Sequence, residues 1–175
     1  MASDGQQVYA ATSDVVRNQA PSSDPFDPRP QLADPKIGGG LPALRIANGE
    51  KIWFAPPVVC AAGAKPGCSP AQSQAVTAIP GVVFSGSLYG HFRAYSAEEG
   101  KVLWDRSLPE EYGAITTHGG RTTSPIVEGD KVILNTLIQN WGPDLGRPGN
   151  RYFAFDKRTG QTIWVSSPQA RHYDT

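Results

Sequence analysis

The two cysteines are the most evident chemically reactive pair in this sequence of 175 residues. Cys60 and Cys68 lie in the segment Val59–Pro70, whose alanine, glycine and proline content is typical of a loop. An even number of cysteines in a loop indicates a disulfide, which would stiffen the loop and imply an oxidising compartment. The alternative is a pair of unpaired cysteines that pack as small hydrophobic residues. A zinc site is not expected, because the spacing is unlike that of zinc ligands and no histidine lies nearby.

Motifs of several common enzyme classes are absent from the sequence. It contains no Gly-x-Ser-x-Gly nucleophile elbow, no His-Glu-x-x-His metal motif and no Gly-x-x-x-x-Gly-Lys phosphate loop. Cys-x-x-Cys-His is also missing, so we expect no c-type haem attached to this chain.

Charge and hydropathy exclude two further classes of partner. Lys+Arg 16 and Asp+Glu 16 balance, so the chain has no net positive charge that would attract nucleic acid. No apolar run approaches the ~20 residues that a membrane-spanning helix needs. The amino terminus lacks the basic start and apolar core of a signal peptide. We therefore expect either a cytosolic protein or an export signal outside this sequence.

A segment that ends in tryptophan occurs three times along the chain. Each copy consists of a short apolar strand, a polar turn closed by glycine, and a second strand that ends in Ile-Trp or Leu-Trp. The copies are Leu41–Trp53, Phe92–Trp104 and Phe153–Trp164, with Gly49, Gly100 and Gly160 in their turns. The tryptophans recur roughly 50 to 60 residues apart, which is too long for helical solenoid units and suits four-stranded propeller blades. An aromatic residue at one fixed position of each blade predicts packing between neighbouring sheets.

The repeats predict an all-β fold of about three four-stranded antiparallel blades, forming an incomplete β-propeller over residues 1–175. The predicted units span approximately 8–56, 71–109 and 121–168, and the first shows only its last three strands. Residues 13–40 form a long loop inserted in the first unit. The 19 glycines and 16 prolines fit many short strands joined by turns. Because three blades cannot close a ring, we expect a part of a larger propeller.

The motif Asp-x-x-Thr-Gly-x-x-x-Trp, clearest at Asp156–Trp164, resembles the blade signature of pyrroloquinoline quinone (PQQ) dehydrogenase-like propellers. The segments Gly67–Ser73 and Val76–Gly86 are similar to the polyvinyl alcohol dehydrogenase branch of this family. The segments Gly119–Pro125 and Arg147–Asp156 are more similar to other PQQ-repeat proteins. The resemblance covers nearly all of the chain and implies a PQQ-type propeller.

The same resemblance implies a function for the full-length protein, a quinoprotein alcohol dehydrogenase. It would oxidise a small-molecule alcohol with PQQ and Ca²⁺ and pass electrons to a cytochrome c, in the periplasm or outside the cell. This chain alone is expected to be inactive. The alternative is a non-catalytic PQQ-repeat propeller that binds protein or carbohydrate with its loops, since the repeat also occurs in scaffolds such as the outer-membrane assembly propeller.

Four residues take site roles by this resemblance. Asp14 stands at the strand end where the family places a metal ligand, although Ser13 replaces the glycine usual there. Arg121 would pair bidentately with a carboxylate of PQQ, with Thr122 beside it, and Gln72 would hydrogen-bond the edge of the quinone. The alternative reading of all four is that they are polar residues of turns and strand ends.

The resemblance also implies an aspartate that acts as the base on the alcohol. The segment Ser69–Ser73, where it is expected, holds no carboxylate, so the base is not identified. Two other residues lie in predicted loops outside the repeat. Trp141 is a candidate contact residue in an insertion, and His118 would be either solvated or directed at the channel.

Overall fold

The chain forms three four-stranded antiparallel sheets within the residues that the structure describes. This computed structural model describes residues 1–18, 32–60, 62, 68–112, 124–138 and 149–166. In chain order the elements are β1 (Ala2–Ser3), β2 (Gln7–Tyr9), β3 (Arg17–Asn18), β4 (Leu32–Ala33), β5 (Leu41–Arg45), β6 (Lys51–Ala55), β7 (Thr77–Ile79), β8 (Val82–Gly86), β9 (His91–Ser96), β10 (Val102–Ser107), α1 (Leu108–Tyr112), β11 (Ile126–Glu128), β12 (Lys131–Ile138), β13 (Gly149–Asp156) and β14 (Thr162–Ser166).

The first sheet has the strand order β1-β2-β5-β6, so an insertion separates its second and third strands. Within the insertion, β3 and β4 pair as a small two-stranded ribbon. The sequence predicted only three strands in this unit, and that expectation is wrong, because Ala2 and Ser3 pair with Tyr9 and Val8. The turn between β1 and β2 is stabilised by Asp4, whose carboxylate accepts a hydrogen bond from the backbone N–H of Gln7 at 2.8 Å.

The second and third sheets are up-and-down arrangements of consecutive strands, β7–β10 and β11–β14. In every sheet the repeated tryptophan lies opposite an alanine of the preceding strand, and the register shifts beside that pair. The pairs are Ala43 and Trp53, Ala94 and Trp104, and Ala154 and Trp164. Such irregularities increase the local twist of a strand, and the small alanine leaves room beside the large indole. The sequence repeat is therefore also a repeat of strand register.

Two hydrophobic clusters hold the three sheets together. The first lies between sheets one and two and includes Tyr9, Leu41 and Tyr95. The second lies between sheets two and three and includes Phe92 and Phe153. Because alternate residues of a strand point to opposite faces, the middle sheet contributes to both clusters and is buried on both sides. This is the packing expected of neighbouring propeller blades.

Each tryptophan of the first two sheets also bonds to the next sheet along the chain. The indole N–H of Trp53 donates to the carbonyl of Ala97 at 2.8 Å, and that of Trp104 donates to the carbonyl of Lys157 at 3.1 Å. The predicted packing between sheets is therefore confirmed for these two residues. Trp164 differs, because 38% of it is exposed and its indole makes no hydrogen bond to the described part of the chain.

The predicted all-β class, with about three four-stranded antiparallel sheets, is confirmed. Two details differ from the prediction. The first strand of the second sheet begins at Thr77 rather than Gln74, and a short helix, α1, follows β10. The unit limits of 8–56, 71–109 and 121–168 remain predictions.

Candidate functional site

Three consecutive glycines close the base of the insertion in the first sheet. The backbone N–H of Thr12 donates to the carbonyl of Gly40 at 2.9 Å, and the N–H of Gly40 donates to Thr12 Oγ1 at 2.8 Å. A Cβ on Gly39 would overlap the carbonyl of Thr12. The run of glycine is therefore explained by close contact between two backbone segments, which a side chain would prevent.

The same glycine segment brings two predicted site residues towards each other. A Cβ on Gly38 would lie only 2.8 Å from the backbone nitrogen of Ala71, the residue before Gln72. Thr12, which bonds to the other end of the segment, lies two positions before Asp14. The backbone around Asp14 and the backbone around Gln72 therefore flank one glycine strip.

Asp14 is exposed and has a positive φ of 26°, which among the described residues is otherwise seen only for glycines. Aspartate tolerates this backbone region better than most residues. In the described part of the chain, no group of three or more His, Cys, Asp or Glu residues could hold a metal ion. Asp14 thus supplies one carboxylate, and its role as a Ca²⁺ ligand remains a prediction.

Gln72 is buried, with 1% of its surface exposed, and is fixed by a bond to the second sheet. Its Nε2 donates to the phenolic oxygen of Tyr95 at 2.7 Å. Its Oε1 is also buried and accepts no hydrogen bond from the described residues. Burial raises the pKa of the Tyr95 phenol, which outweighs the opposing effect of the nearby Arg93 guanidinium. The amide is therefore held in place through its nitrogen, and its oxygen is an acceptor that no described residue uses.

A buried cation lies beside this pair in the middle strands of the second sheet. Arg93 is 1% exposed, and its Nε donates to Asp105 Oδ2 at 2.9 Å. The other carboxylate oxygen lies 2.9 Å from His91 Nδ1. Burial alone would raise the pKa of Asp105, but the His91 hydrogen bond and the Arg93 charge outweigh it and lower that pKa. Arg93 is two residues from Tyr95 on the same strand, so both face the first sheet.

Several other buried polar atoms in this region have no hydrogen-bond partner among the described residues. They are Ser73 Oγ, Gln74 Oε1, Ser85 Oγ and Arg93 Nη1. Unpaired buried polar groups are rare in native proteins and usually bind water or a ligand. The inner end of the second sheet is therefore polar although it is enclosed, and it contains both hydrogen-bond donors and acceptors.

The remaining predicted site residues, Arg121 and Thr122, lie outside the described residues, as do His118 and Trp141. Their roles remain predictions. Cys60 and Cys68 form a disulfide with a Cα–Cα distance of 6.3 Å. Cys68 is buried and is followed by Ser69, which is also buried. The bridge therefore ties the chain after β6 to the segment that leads to Gln72.

Sequence reasoning did not identify Arg93, Tyr95 or Asp105. The sequence does contain one signal, which is a pair of opposite charges on two successive strands. Arg93 and Asp105 are direct partners across β9 and β10. An arginine in an alternating strand is normally assigned to the solvent face. Here both faces of the sheet are covered, so that assignment fails.

None of the described segments contains a helix with the length and apolar composition of a membrane span.

The three successive four-stranded sheets, joined through repeated tryptophans, define a β-propeller of the repeat class. Residues 38–173 match the PQQ-repeat family that carries the description "Outer membrane protein assembly factor BamB", and the chain belongs to that family.

Two curated relatives are similar over most of the chain. The sequence is 36% identical over 169 residues to the polyvinylalcohol dehydrogenase of Pseudomonas sp, covering 89% of this chain and 24% of that protein. It is 32% identical over 171 residues to the polyvinylalcohol dehydrogenase of Sphingopyxis sp. (strain 113P3), covering 88% of this chain and 24% of that protein. The chain thus spans about a quarter of the length of these relatives.

A solved structure shows the same fold. The quinohemoprotein alcohol dehydrogenase from Comamonas testosteroni superposes with a TM-score of 0.53 and 18% sequence identity, over 93% of this chain and 23% of that one. The curated relatives of the chain are therefore dehydrogenases, and the repeats of this chain match the PQQ-repeat family described by BamB.

Proposed function

We propose that this chain is part of a quinoprotein alcohol dehydrogenase-like propeller, which as a whole oxidises an alcohol with PQQ and Ca²⁺. The observation that carries the proposal is the 36% identity to a polyvinylalcohol dehydrogenase over 89% of the chain. The fold alone would not suffice, because one fold supports many activities. The buried polar end of the second sheet supports the same conclusion, since it provides hydrogen-bonding groups that have no partner among the described residues.

Gln72 is the described residue that best fits a role in holding PQQ. Its Oε1 is buried and has no partner in the part of the chain that the structure describes, while the bond from its Nε2 to Tyr95 fixes the direction of the amide. An acceptor fixed in this way can bind an N–H group on the edge of the quinone with little loss of entropy. We assign the carboxylates of PQQ to the Arg121 guanidinium and the Thr122 hydroxyl. When bound, PQQ supplies an electrophilic carbonyl that accepts hydride from the alcohol.

Asp14 is proposed as one oxygen ligand of Ca²⁺, a cation that prefers carboxylate and carbonyl ligands. Its position beside the Gly38–Gly40 segment, which also contacts Ala71, supports a site shared with Gln72. Six to eight ligands are usual for Ca²⁺, so the rest must come from other parts of the protein or from water.

The proposed compartment is the periplasm or the cell exterior, because the Cys60–Cys68 disulfide is typical of oxidising environments. An electron acceptor is required to regenerate the cofactor, and we propose a cytochrome c for this role. The proposed substrate is an alcohol, and the two polyvinylalcohol dehydrogenases named above indicate its class.

Titration of the chain with PQQ in the presence of Ca²⁺, followed by tryptophan fluorescence and equilibrium dialysis, tests the proposal. We expect saturable binding that requires Ca²⁺ and that Gln72→Met weakens about three- to tenfold, the cost of one lost hydrogen bond. Gln7→Met is the matched control, because Gln7 Oε1 is also buried without a described partner but lies in the first sheet. Absence of saturable binding, both in this chain and in any longer protein that contains it, would rule the cofactor out.

A second function is favoured by the family match to BamB over residues 38–173. In this alternative the propeller is a non-catalytic scaffold whose loops bind protein or carbohydrate. The absence of a carboxylate in Ser69–Ser73 agrees with it. The two functions are distinguished by Arg121→Ala, which should abolish PQQ binding in the dehydrogenase and have no effect on quinone affinity in the scaffold.

A further inference from the structure

The turn between β8 and β9 lies beside the segment that carries Gln72. The backbone N–H of Leu88 in this turn donates to the carbonyl of Ala71 at 2.7 Å, and Ser87 pairs with Gln72 in an antiparallel bridge. On its other side, the N–H of Ser87 donates to the carbonyl of His91 at 2.9 Å. Because neighbouring strands lie about 4.8 Å apart, the backbone of His91 is roughly 10 Å from that of Gln72. The turn therefore ends near the proposed quinone site.

Two ring side chains stand together at this turn, those of Tyr89 and His91. Their rings are nearly parallel, with an interplanar angle of 23° and centroids 6.3 Å apart. Both residues are partly exposed. No hydrogen bond joins the Tyr89 phenol to another described residue. The pair is therefore accessible to a ligand and has a hydroxyl group that the described residues do not use.

The direction of the imidazole is fixed by Asp105. His91 Nδ1 lies 2.9 Å from Asp105 Oδ1, and an ionised carboxylate can only accept a hydrogen bond, so Nδ1 carries the hydrogen. In the neutral ring the other nitrogen, Nε2, is then an acceptor. It has no hydrogen-bond partner in the segments that the structure describes. The turn thus presents an acceptor whose orientation is set in advance.

The support of this imidazole reaches into the interior of the molecule. Asp105 Oδ2 accepts a hydrogen bond from Arg93 Nε at 2.9 Å. The exposed fraction of the side chain is 1% for Arg93, 34% for Asp105 and 25% for His91. A buried ion pair often adds no net stability, because its charges lose their hydration. What this pair does provide is a rigid base for a ring at the surface, as a binding site requires.

The chemistry of these groups favours a neutral ligand with hydroxyl groups. A hydroxyl both donates and accepts hydrogen bonds, which matches the acceptor of His91 and the phenol of Tyr89. The faces of the two rings can pack against the carbon chain that carries the hydroxyls. The charge of Asp105 offsets that of Arg93, so this group offers no net charge to an anion or a cation. A polyhydroxylated chain uses both the polar and the apolar parts of the pair.

We propose that Tyr89 and His91 form a subsite that binds a hydroxyl group of a polyhydroxylated alcohol, away from the carbon that is oxidised. This inference rests on the proposed function, in which the reacting hydroxyl lies at the quinone beside Gln72. A short alcohol with one hydroxyl cannot reach both places, since they are roughly 10 Å apart. A chain with many hydroxyls can. The subsite therefore selects long polyhydroxylated substrates over short alcohols.

Titration of the chain with a short oligomer of vinyl alcohol, followed by nuclear magnetic resonance of the backbone amides of Tyr89–His91, tests the proposal. We expect saturable shifts with the oligomer and none with 2-propanol at the same concentration of hydroxyl groups. Tyr89→Phe should weaken the binding about three- to tenfold, the cost of one lost hydrogen bond. Tyr152→Phe is the matched control, because Tyr152 is a 43% exposed tyrosine of the third sheet.

A second variant tests the imidazole separately from the phenol. His91→Phe keeps a ring at this position but removes both nitrogens, and it should also weaken the binding of the oligomer at least about threefold. Circular dichroism of each variant checks that it is folded. No saturable shifts with the oligomer, unchanged affinity in either variant, or equal shifts with 2-propanol would each overturn the proposal.

The titration contains no PQQ, which separates the subsite from the proposed cofactor. A chain that binds the oligomer at these residues but does not bind PQQ would contradict the proposed cofactor and support the subsite. Maltohexaose serves as a third ligand in the same experiment. If it binds at Tyr89–His91 and the oligomer does not, the proposal is wrong and the carbohydrate-binding scaffold is favoured.

Discussion

Trp53 lies with its indole ring over Gly100, a residue of the following sheet, and only the absence of a side chain at Gly100 permits this contact. The indole N–H donates to Ala97 in the same turn at 2.8 Å. Trp104 and Gly160 form the second example. The turn glycine of one sheet is therefore needed for the packing of the tryptophan of the sheet before it. This explains why the turn glycine and the tryptophan occur together in the sequence.

The first prediction concerns this contact. Gly100→Ala should lower the free energy of unfolding by about 2–5 kcal/mol, because the left-handed backbone costs about 1–2 kcal/mol and displacement of the indole adds about 1–3 kcal/mol. Gly81→Ala is the control, since Gly81 has φ of 81° but open space around it. It should show the backbone cost alone. Urea unfolding of both variants measures the difference, and equal losses would contradict the role of Trp53.

The second prediction concerns the buried Arg93–Asp105 pair. Asp105→Asn should lower the free energy of unfolding at pH 7 by about 2–4 kcal/mol, because it leaves a buried guanidinium without its counter-ion. The range is lower than for a fully buried pair, since the Asp105 side chain is 34% exposed. The pKa of Asp105 is lowered from 3.8 in the folded protein. Its stabilising effect is therefore complete above that value and is lost as the pH falls through the folded pKa.

Unfolding by urea at a series of pH values from neutral to acidic measures this effect. The difference between wild type and Asp105→Asn should be constant near neutral pH and should shrink below pH 4 or so. Glu50→Gln is the control, because Glu50 pairs with Arg45 at the exposed surface. It should change stability little at any pH. A pH-independent difference for Asp105→Asn would show that the carboxylate charge is not the cause.

The third prediction concerns the disulfide. Replacing Cys60 and Cys68 together by serine should lower the free energy of unfolding by about 2–3 kcal/mol, the chain-entropy value for a short closed loop. Reduction of the wild-type protein should have a similar effect. The variant should also bind PQQ more weakly if the bridge positions the Gln72 segment. Equal stability of the oxidised and reduced proteins would show that neighbouring contacts already restrict this loop.

The fourth prediction concerns the base of the insertion. Gly39→Ala should open the contact with Thr12, because a Cβ would overlap the Thr12 carbonyl. Amide hydrogen exchange of Thr12 and Gly40 should accelerate, since their backbone N–H groups bond across this contact at 2.9 and 2.8 Å. Gly5→Ala is the control, because it carries a backbone cost at a φ of 92° but its Cβ would meet nothing within 4 Å. Unchanged protection in Gly39→Ala would show that the glycine strip does not close the insertion.

The sheet architecture could be predicted because each repeat combines local signals that agree. A turn closed by glycine, such as the one at Gly160, predicts a hairpin. Trp164, three positions after Gln161, predicts the strand that follows this turn. The strand at Ala2–Ser3 could not be predicted in this way. Two residues are too few to show alternation, and the pairing with Tyr9 depends on the next strand.

The candidate site could be predicted only in part. The resemblance predicts a site role for Gln72, but its bond to Tyr95 depends on two segments far apart in sequence. Arg93 was missed because an alternating pattern assigns charged residues to solvent, which holds for a sheet with one free face. In a stack of sheets both faces are covered. A charged residue is then retained by a partner such as Asp105, which the pattern does not show.

The hydrogen bonds between Thr12 and Gly40 have a practical consequence for protein engineering. They join the two ends of the insertion at its root, directly beside the pairing of β2 with β5, and we expect this pairing to tolerate changes in the intervening polypeptide. The entropy of closing such a segment grows only slowly with its length. This position is therefore a natural graft point, where a binding peptide or a reporter domain can be exchanged for the native residues while the sheet beneath keeps its register.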